Sequence, residues 1–366
     1  MLNKKTVAVI IPAYNEENQI LKVIETMPAF VDKIIIVNDC SKDKTSDVVL
    51  NHIKDTESQG KKKAFRFKKE IQTKSIYEAD EVIRKQILGE ASLFPPYEIA
   101  NQNGVNDRII LINLKVNSGA GAAVSVGYKL AKDLKIHCIA KMDGDGQMDP
   151  SELQSLCEPI VNGEVDFVKG NRLIHRSAWL IIPKIRFFGN SMLSILTKIA
   201  SGYWHVSDTQ TGYVAISNKA LSSIRLHDIY PRYGYPNDLL VKLNIAFCSM
   251  REVEIKPVYR IGEKSKMKIH KVIPKISWLL LKLFFKRLWV KYFFRDFHPL
   301  FLLYNLAFLL LLIDLPIFYK LLMITLFGGS YPTSLLILFS ILSINGIQFL
   351  LFAMWMDIQD NERLYK

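Results

Sequence analysis

Three oxygen-bearing side chains, Asp143, Asp145 and Gln147, stand at alternate positions in KMDGDGQMDP (residues 141–150), directly after a short apolar run at 138–140. If that run is a strand, its two-residue period turns the three side chains toward one side as the strand ends. Carboxylate and amide oxygens at such an edge suit a hard divalent cation. Mg2+ or Mn2+ held there would in turn bind the phosphates of a nucleotide sugar. An ordinary Asp/Gly turn has the same spacing, so the rest of the chain must decide between the two.

The elements that would position this edge are legible on both sides of it. VAVIIPAYNEE (7–17) reads as a buried strand, a loop and a helix opening near Glu17. DKIIIVNDCSKDKTSDVV (32–49) repeats the pattern, its strand ending in Asn38 and Asp39 before a Ser/Asp/Thr turn starts the next helix. RIILINL (108–114) reads as a third strand, 151–163 as a helix, and DFVKGNR (166–172) as a fifth strand that carries Arg172 to the same edge. This alternation predicts an α/β fold with a mostly parallel sheet. Ligands of such sheets bind beyond the carboxyl ends of the strands, where Pro12, Tyr14, Glu16, Asp39 and the Asp143 group would gather. Gly119 and Gly121 begin an Ala-rich helix in NSGAGAAVSVGYKLA (117–131), where small residues permit either tight packing on the sheet or backbone contact with a phosphate. Between 51 and 108 the rhythm lapses into a charged segment, read as an insertion at about 54–107 that is partly helical around 76–88.

Composition adds a membrane. Hydrophobic residues make up 49% of the 366, mean hydropathy is +0.13, and the excess lies after residue 297. The runs 299–319 and 331–356 each exceed the roughly 20 apolar residues that span a bilayer. The break GGSYP (328–332) between them predicts a two-helix hairpin with both ends on one side. Asp314 would cost about 2.5–3.5 kcal/mol at the bilayer centre and is expected near an interface or against the partner helix. The net charge of +13 gathers before the first span, in Lys264, Lys266, Lys268, Lys271, Lys275, Lys282, Lys286, Arg287, Lys291 and Arg295. Trp278, Leu279, Leu280, Phe284, Phe285, Trp289, Phe293 and Phe294 are interleaved with them. That pattern reads as an interfacial helix with its rings in the acyl boundary and its cations on an anionic inner leaflet, not as a nucleic-acid surface. The positive-inside tendency places the soluble domain on the cytoplasmic face, and the apolar run at 7–11 is too short for a signal peptide. Cys40, Cys138, Cys157 and Cys248 form no CxxC pair, consistent with a reducing compartment and no zinc site.

PAYNEE, VNDCSKD, the 117–131 segment, MDGDGQMDP, VKGNR, SDTQTGY (207–213) and YRIGEKSKMKI (259–269) together resemble the inverting family 2 glycosyltransferases of the GT-A fold. Within that family the likeness is to polyprenyl-phosphate sugar synthases, the group of dolichol-phosphate mannose synthase, and it covers most of residues 5–270. The resemblance implies a Rossmann-like GT-A domain over 1–262, and composition adds to it a basic amphipathic juxtamembrane segment over 263–296, two transmembrane helices over 297–357 and a polar tail over 358–366. It implies a GDP- or UDP-sugar donor bound by Pro12, Tyr14, Glu16, Asp39, Gly119, Gly121 and Asp143, and a metal on Asp143, Asp145 and Gln147. Asn38 stands where the family often has the first Asp of a pair, which would weaken the nucleoside contact. Arg172, Arg186 and Arg260 match positions that bind lipid phosphate or donor diphosphate, with Ser265 and Lys266 nearby, and residues 176–207 match an acceptor loop at the bilayer surface. Asp208 matches a motif bordering sugar and acceptor. Asp238 lies near the family's general base, and either it or Asn237 could instead cap the following helix.

These roles separate the possible activities. A polyprenyl phosphate, largely ionised above a second pKa of roughly 6, needs positioning and no base. A glycan hydroxyl would need Asp238 or Asp208 to remove its proton. A non-catalytic membrane-bound nucleotide-sugar-binding subunit is the third reading. The sugar, the choice of Mg2+ or Mn2+ and the oligomeric state are not legible.

Overall fold

The structure, a computed structural model, describes residues 1–58, 82, 89–182, 184–258 and 269–366. At its centre are strands β1 (Val7–Ala13), β2 (Lys33–Asn38), β3 (Tyr97–Ile99), β4 (Ile109–Leu114), β5 (Cys138–Lys141), β6 (Phe167–Asn171), β7 (Val214–Ser217) and β8 (Met250–Glu254). They form one sheet in the order β3-β4-β2-β1-β5-β7-β6-β8. The run β4-β2-β1-β5 is wholly parallel. β7 lies antiparallel between β5 and β6, β8 is parallel to β6, and β3 closes the far side antiparallel to β4.

The parallel strands read as near-continuous Val/Ile runs because helices cover both faces. Along β1, Ala8 and Ile10 pack into one core with the helix Ala120–Asp133, while Val7, Val9 and Ile11 pack into the other with Ile20–Glu25, Thr45–Ser58 and Leu153–Val161. In chain order these helices are α1 (Ile20–Glu25), α2 (Thr45–Ser58), α3 (Ala120–Asp133) and α4 (Leu153–Val161). The chain winds outward from β1 through β2 to β4 and then returns to β5 on the opposite side of β1. The strand order therefore reverses between β1 and β5, the switch point beyond whose carboxyl ends sheets of this kind form a ligand-binding crevice.

The expected α/β architecture is present, with differences at its margins. α2 continues to Ser58, and Tyr97–Ile99 pairs with β4, so both ends of the stretch taken as an insertion belong to the sheet domain. The helix expected around 76–88 lies outside the described residues save residue 82.

Beyond β6 come α5 (Ala178–Ile181), α6 (Lys184–Ser201), α7 (Asn218–Ser223) and α8 (Tyr235–Ile245), followed by α9 (Ile269–Trp289) and a π-helical turn, Val290–Arg295. α10 (Pro299–Phe327) and α11 (Thr333–Glu362) are each long and apolar enough to cross a bilayer, and they pack as the expected hairpin. Asp314 is buried against the partner helix, where it accepts a hydrogen bond from Ser343, as the sequence required. α11 runs without a break to Glu362, and the Met250 N–H then donates to Leu364 O at 2.8 Å while the Lys366 N–H donates to Met250 O at 3.0 Å. Residues 358–366 are thus no free tail: Leu364 enters the main core.

The basic segment also needs correction. Lys275, Lys282, Lys286 and Arg295 are exposed beside Trp278, Phe285, Trp289, Phe293 and Phe294, as an interfacial helix requires. Arg287 and Lys291 are buried at 1% exposure, and Leu280 and Phe284 pack in the α9–α10 core. A buried cation must be paired, and these two face carboxylates and amides of the chain in place of headgroups. Lys264, Lys266 and Lys268 lie outside the described residues.

Candidate active site

The crevice is built on β5. Met142 N–H donates to Ile10 O at 3.0 Å, extending the ladder one residue past Lys141 and setting Asp143 just beyond the sheet. Lys141 is buried, and its Nζ lies 2.5 Å from Asp143 Oδ1 and 5.6 Å from the centre of the Tyr235 ring. Burial alone would depress that ammonium, but the Asp143 carboxylate and the Tyr235 hydroxyl hold it well above the usual lysine range. Asp143 itself remains 40% exposed. Asp145 Oδ1 accepts the Gln147 N–H at 3.0 Å, which folds the loop back. Burial, and then the charge of Asp143, push the Asp145 carboxyl up to about 6, and Glu16 adds to the effect.

Carboxylates crowded together at a sheet edge are complementary to a divalent cation. No group of three or more His, Cys, Asp or Glu side chains with metal-binding spacing occurs among the described residues. Asp143 and Asp145 would therefore supply the two carboxylate ligands and leave the remaining positions to the Gln147 amide, donor phosphates and water. The donor set fits a hard ion of the Mg2+ or Mn2+ type.

Pro12 in the last residues of β1, and Tyr14 and Glu16 just beyond it, reach the same edge, where the Glu16 N–H is fixed by Thr45 Oγ1 at 2.9 Å. Asp39 also arrives there, but buried, with Oδ1 accepting the Ser118 N–H at 2.7 Å and Oδ2 the Gly119 N–H at 2.8 Å. Burial raises its carboxyl while these two N–H groups oppose the rise. Asn38 pairs with Asn113 Oδ1 at 2.9 Å. Asp39 thus clasps the loop before α3.

The same geometry corrects the reading of Gly119 and Gly121 as phosphate binders. The Gly119 N–H belongs to Asp39, and those of Gly121 and Ala122 go to Pro231 O at 2.8 and 3.2 Å. A Cβ on Gly121 would sit 2.0 Å from Tyr230 O. These glycines serve the close approach of the 230–231 backbone.

Arg172, at the end of β6, reaches the edge as expected, but in a fork with Asp208: Nε to Oδ2 at 2.8 Å and Nη2 to Oδ1 at 3.1 Å. Asp208 is wholly buried and also accepts the Thr211 N–H at 3.2 Å. Burial would raise its carboxyl, yet the Arg172 guanidinium holds it below the usual carboxylate range. Burial and full engagement by Arg172 and the Thr211 N–H weigh against the base reading for Asp208.

Asp238 is likewise buried, and its Oδ2 accepts from Lys242 Nζ and from the Tyr230 N–H, the latter at 2.8 Å. It lies in the first turn of α8, where the N-cap is Gly234, so the capping reading does not hold, and the Lys242 ion pair weighs against the base reading. Asp238 closes the 230–238 loop on which Gly119 and Gly121 pack.

Of the remaining candidates, Arg186 lies on α6, and Arg260, Ser265 and Lys266 fall outside the described residues. Several functional neighbours escaped the sequence reading. Lys169 is buried on β6 and donates to Thr211 O at 2.5 Å, burial lowering its ammonium to about 8. Glu252 on β8 accepts the Ser207 N–H at 3.0 Å and the Asp208 N–H at 3.1 Å. With Lys141, these residues form a charged layer beneath the 207–212 loop. For Lys141 and Lys169 the signal was a lysine in each of two apolar strands, CIAK and FVKGN.

The Glycosyl transferase family 2 model matches residues 8–72 and 97–225. A UDP-N-acetylglucosamine–dolichyl-phosphate N-acetylglucosaminyltransferase of Methanococcus voltae is 29% identical over 261 residues, 70% of this chain and 86% of that protein. A dolichyl-phosphate beta-glucosyltransferase of Trichomonas vaginalis is 24% identical over 289 residues, covering 73% and 69%. Among solved structures, glucosyl-3-phosphoglycerate synthase of Mycobacterium tuberculosis with Mn2+, UDP-glucose and glycerol 3-phosphate is 18% identical, with a TM-score of 0.46 over 78% of this chain and 80% of that one.

Proposed function

Since the chain belongs to glycosyltransferase family 2, we propose that it transfers a sugar from a UDP- or GDP-sugar to a polyprenyl phosphate, dolichyl or undecaprenyl, with inversion at the anomeric carbon. The observation that carries this reading is an asymmetry among the acidic residues. Asp143 and Asp145 stand at the open crevice, whereas both candidate bases, Asp208 and Asp238, are buried and ion-paired. A site without an available base suits an acceptor that is already an anion. The two dolichyl-phosphate transferases similar to this chain support the same acceptor class.

A divalent ion, when bound, supplies Lewis-acid stabilisation of the departing nucleoside diphosphate. Asp143, Asp145 and Gln147 are the residues to hold it. Lys141 fixes the orientation of Asp143 from below. Pro12, Tyr14, Glu16 and Asp39 wall the donor side. Arg172, kept in place by the buried Asp208, presents a planar guanidinium at the edge, and Arg186 and Arg260, with Ser265 and Lys266, complete the phosphate-binding set by their family positions. Their work is alignment: a lipid phosphate oxygen forms its bond to the anomeric carbon as the bond to the diphosphate breaks on the opposite side. α10 and α11 cross the membrane, the exposed rings and lysines of α9 lie at an anionic leaflet, and the catalytic domain occupies the cytoplasmic face.

The acceptor chemistry is tested by comparing polyprenyl phosphate with the corresponding polyprenol, using the wild type and Asp238→Asn. Transfer to the phosphate alone, with the variant within about tenfold of wild type, is expected, because a missing general base typically costs 10²–10⁴-fold. Transfer to a hydroxyl, abolished by Asp238→Asn, would overturn the reading.

A further inference from the structure

A second charged assembly lies away from the crevice, where the end of α11 meets the catalytic domain. Arg287 is buried at its centre. Nη1 and Nη2 each lie 2.7 Å from an oxygen of Asp357 on α11. The same guanidinium donates from Nε to Ala200 O and from Nη2 to Ile199 O, both at 3.0 Å. Those two carbonyls belong to the last turn of α6, whose C-terminal carbonyls otherwise lack intrahelical donors. Gly202 follows directly, and a Cβ there would come within 2.6 Å of Arg287 Nη1. Further along α6, Ser194 Oγ lies 3.0 Å from Thr209 Oγ1 and accepts the Thr209 N–H at 3.3 Å. Thr209 adjoins Asp208, the partner of Arg172.

We propose that Arg287 is a positioning residue for sugar transfer: clamped by Asp357 of the second apolar helix, it fixes the end of α6 and, through Ser194 and Thr209, the loop that carries Asp208, the partner of Arg172. The membrane hairpin then acts as more than an anchor, since its last turns set the acceptor side of the crevice. The donor side, built on β1, β2 and β5, shares no residue with this chain of contacts. The inference rests on the lipid-phosphate reading for its activity measurement, but not for its structural one.

Arg287→Met alone strands the Asp357 carboxylate, so the variant to use is R287M/D357L, which removes both charges and leaves apolar packing. With the full chain in phospholipid nanodiscs, the expected result is a fall in kcat for lipid phosphate of about 10–100-fold, the scale of an ångström-level misplacement. The donor KM and the affinity for Mn2+ with UDP should stay within about twofold of wild type. Wild-type kcat in a folded double variant would overturn the proposal. In parallel, spin labels at Met192→Cys on α6 and Lys219→Cys on α7, both exposed, are placed in a Cys40→Ser background. The distance distribution should be narrow with Arg287 present and broad in R287M/D357L, and an unchanged distribution would also overturn the proposal. Absence of any transfer by the wild type would count against the lipid-phosphate reading, while the distance measurement would still decide the role of Arg287.

Discussion

Lys141 and Arg287 are both cations at 1% exposure, and each grips a single carboxylate. They differ in what lies on the far side of that carboxylate. Asp143, the partner of Lys141, is 40% exposed and faces an open edge beside Asp145. Asp357, the partner of Arg287, is fully buried and also accepts from the Tyr292 hydroxyl at 2.9 Å and Asn361 Nδ2 at 2.8 Å. Around it, Lys291 bonds Asn361 Oδ1 at 2.6 Å and Asn244 Oδ1 at 3.1 Å, joining α11 and the catalytic-domain helix α8 to the π-helical turn that follows α9. A charge network closed on every side holds elements together. One left open toward solvent, with crowded like charges, is built to receive a ligand.

Breaking each pair should separate the two roles. The largest effect belongs to the open edge: Asp145→Ala should lose about 10³-fold or more in transfer rate, in line with removal of a metal or oxyanion contact. Its unfolding midpoint without metal should hold or rise, since the substitution removes like-charge crowding. Next comes the closed network. Arg287→Met should destabilise the chain by about 3–5 kcal/mol in chemical unfolding, because it leaves a buried carboxylate unpaired, and R287M/D357L should recover most of that loss. Lys141→Met should do the reverse of Arg287→Met. Asp143 can turn to water, so stability should change by less than about 2 kcal/mol, while misorientation of Asp143 should cost about 10–100-fold in rate. Equal stability losses for the two single variants would dissolve the distinction between the regions.

The smallest effect is a pH dependence. The Asp145 carboxyl is pushed up to about 6 in the folded chain, against about 3.9 when unfolded. Between those values the folded state binds more protons than the unfolded one, so the metal-free chain should lose stability as pH rises from about 4 to about 6. Binding of a divalent ion requires the ionised carboxylate, so metal affinity should weaken as pH falls below about 6. Thermal melts across this window, with and without Mn2+, read both slopes.

The contrast between the regions also explains what the sequence could reveal. β1, β2, β4 and β5 are predominantly apolar runs, and the Asp143–Asp145 edge follows a strand directly, so both were visible from local spacing. β8 reads MREVE, half-buried and polar, and its place beside β6 is set by pairing across 83 residues, from Phe167 to Met250. The partners of Arg172 and Arg287 lie 36 and 70 residues away, beyond any local pattern. Arg287 and Lys291 therefore merged with the solvent-facing lysines around them. A clue was present in Asp357 and Asp360, acids at the end of an apolar helix that need a buried cation. The pairing of Asp238 with Lys242 was legible at i,i+4, a spacing that the general-base and N-cap readings both passed over.

The most direct test of the account is the mass of the lipid. The purified chain and Asp145→Ala would each be incubated with undecaprenyl or dolichyl phosphate, Mg2+ or Mn2+, and UDP-glucose, UDP-N-acetylglucosamine or GDP-mannose in turn. The account predicts a metal-dependent gain of one hexose or one N-acetylhexosamine on the lipid phosphate with wild type and none with the variant. Measurable binding of metal and nucleotide without any lipid gain, or an equal gain with Asp145→Ala, would contradict it.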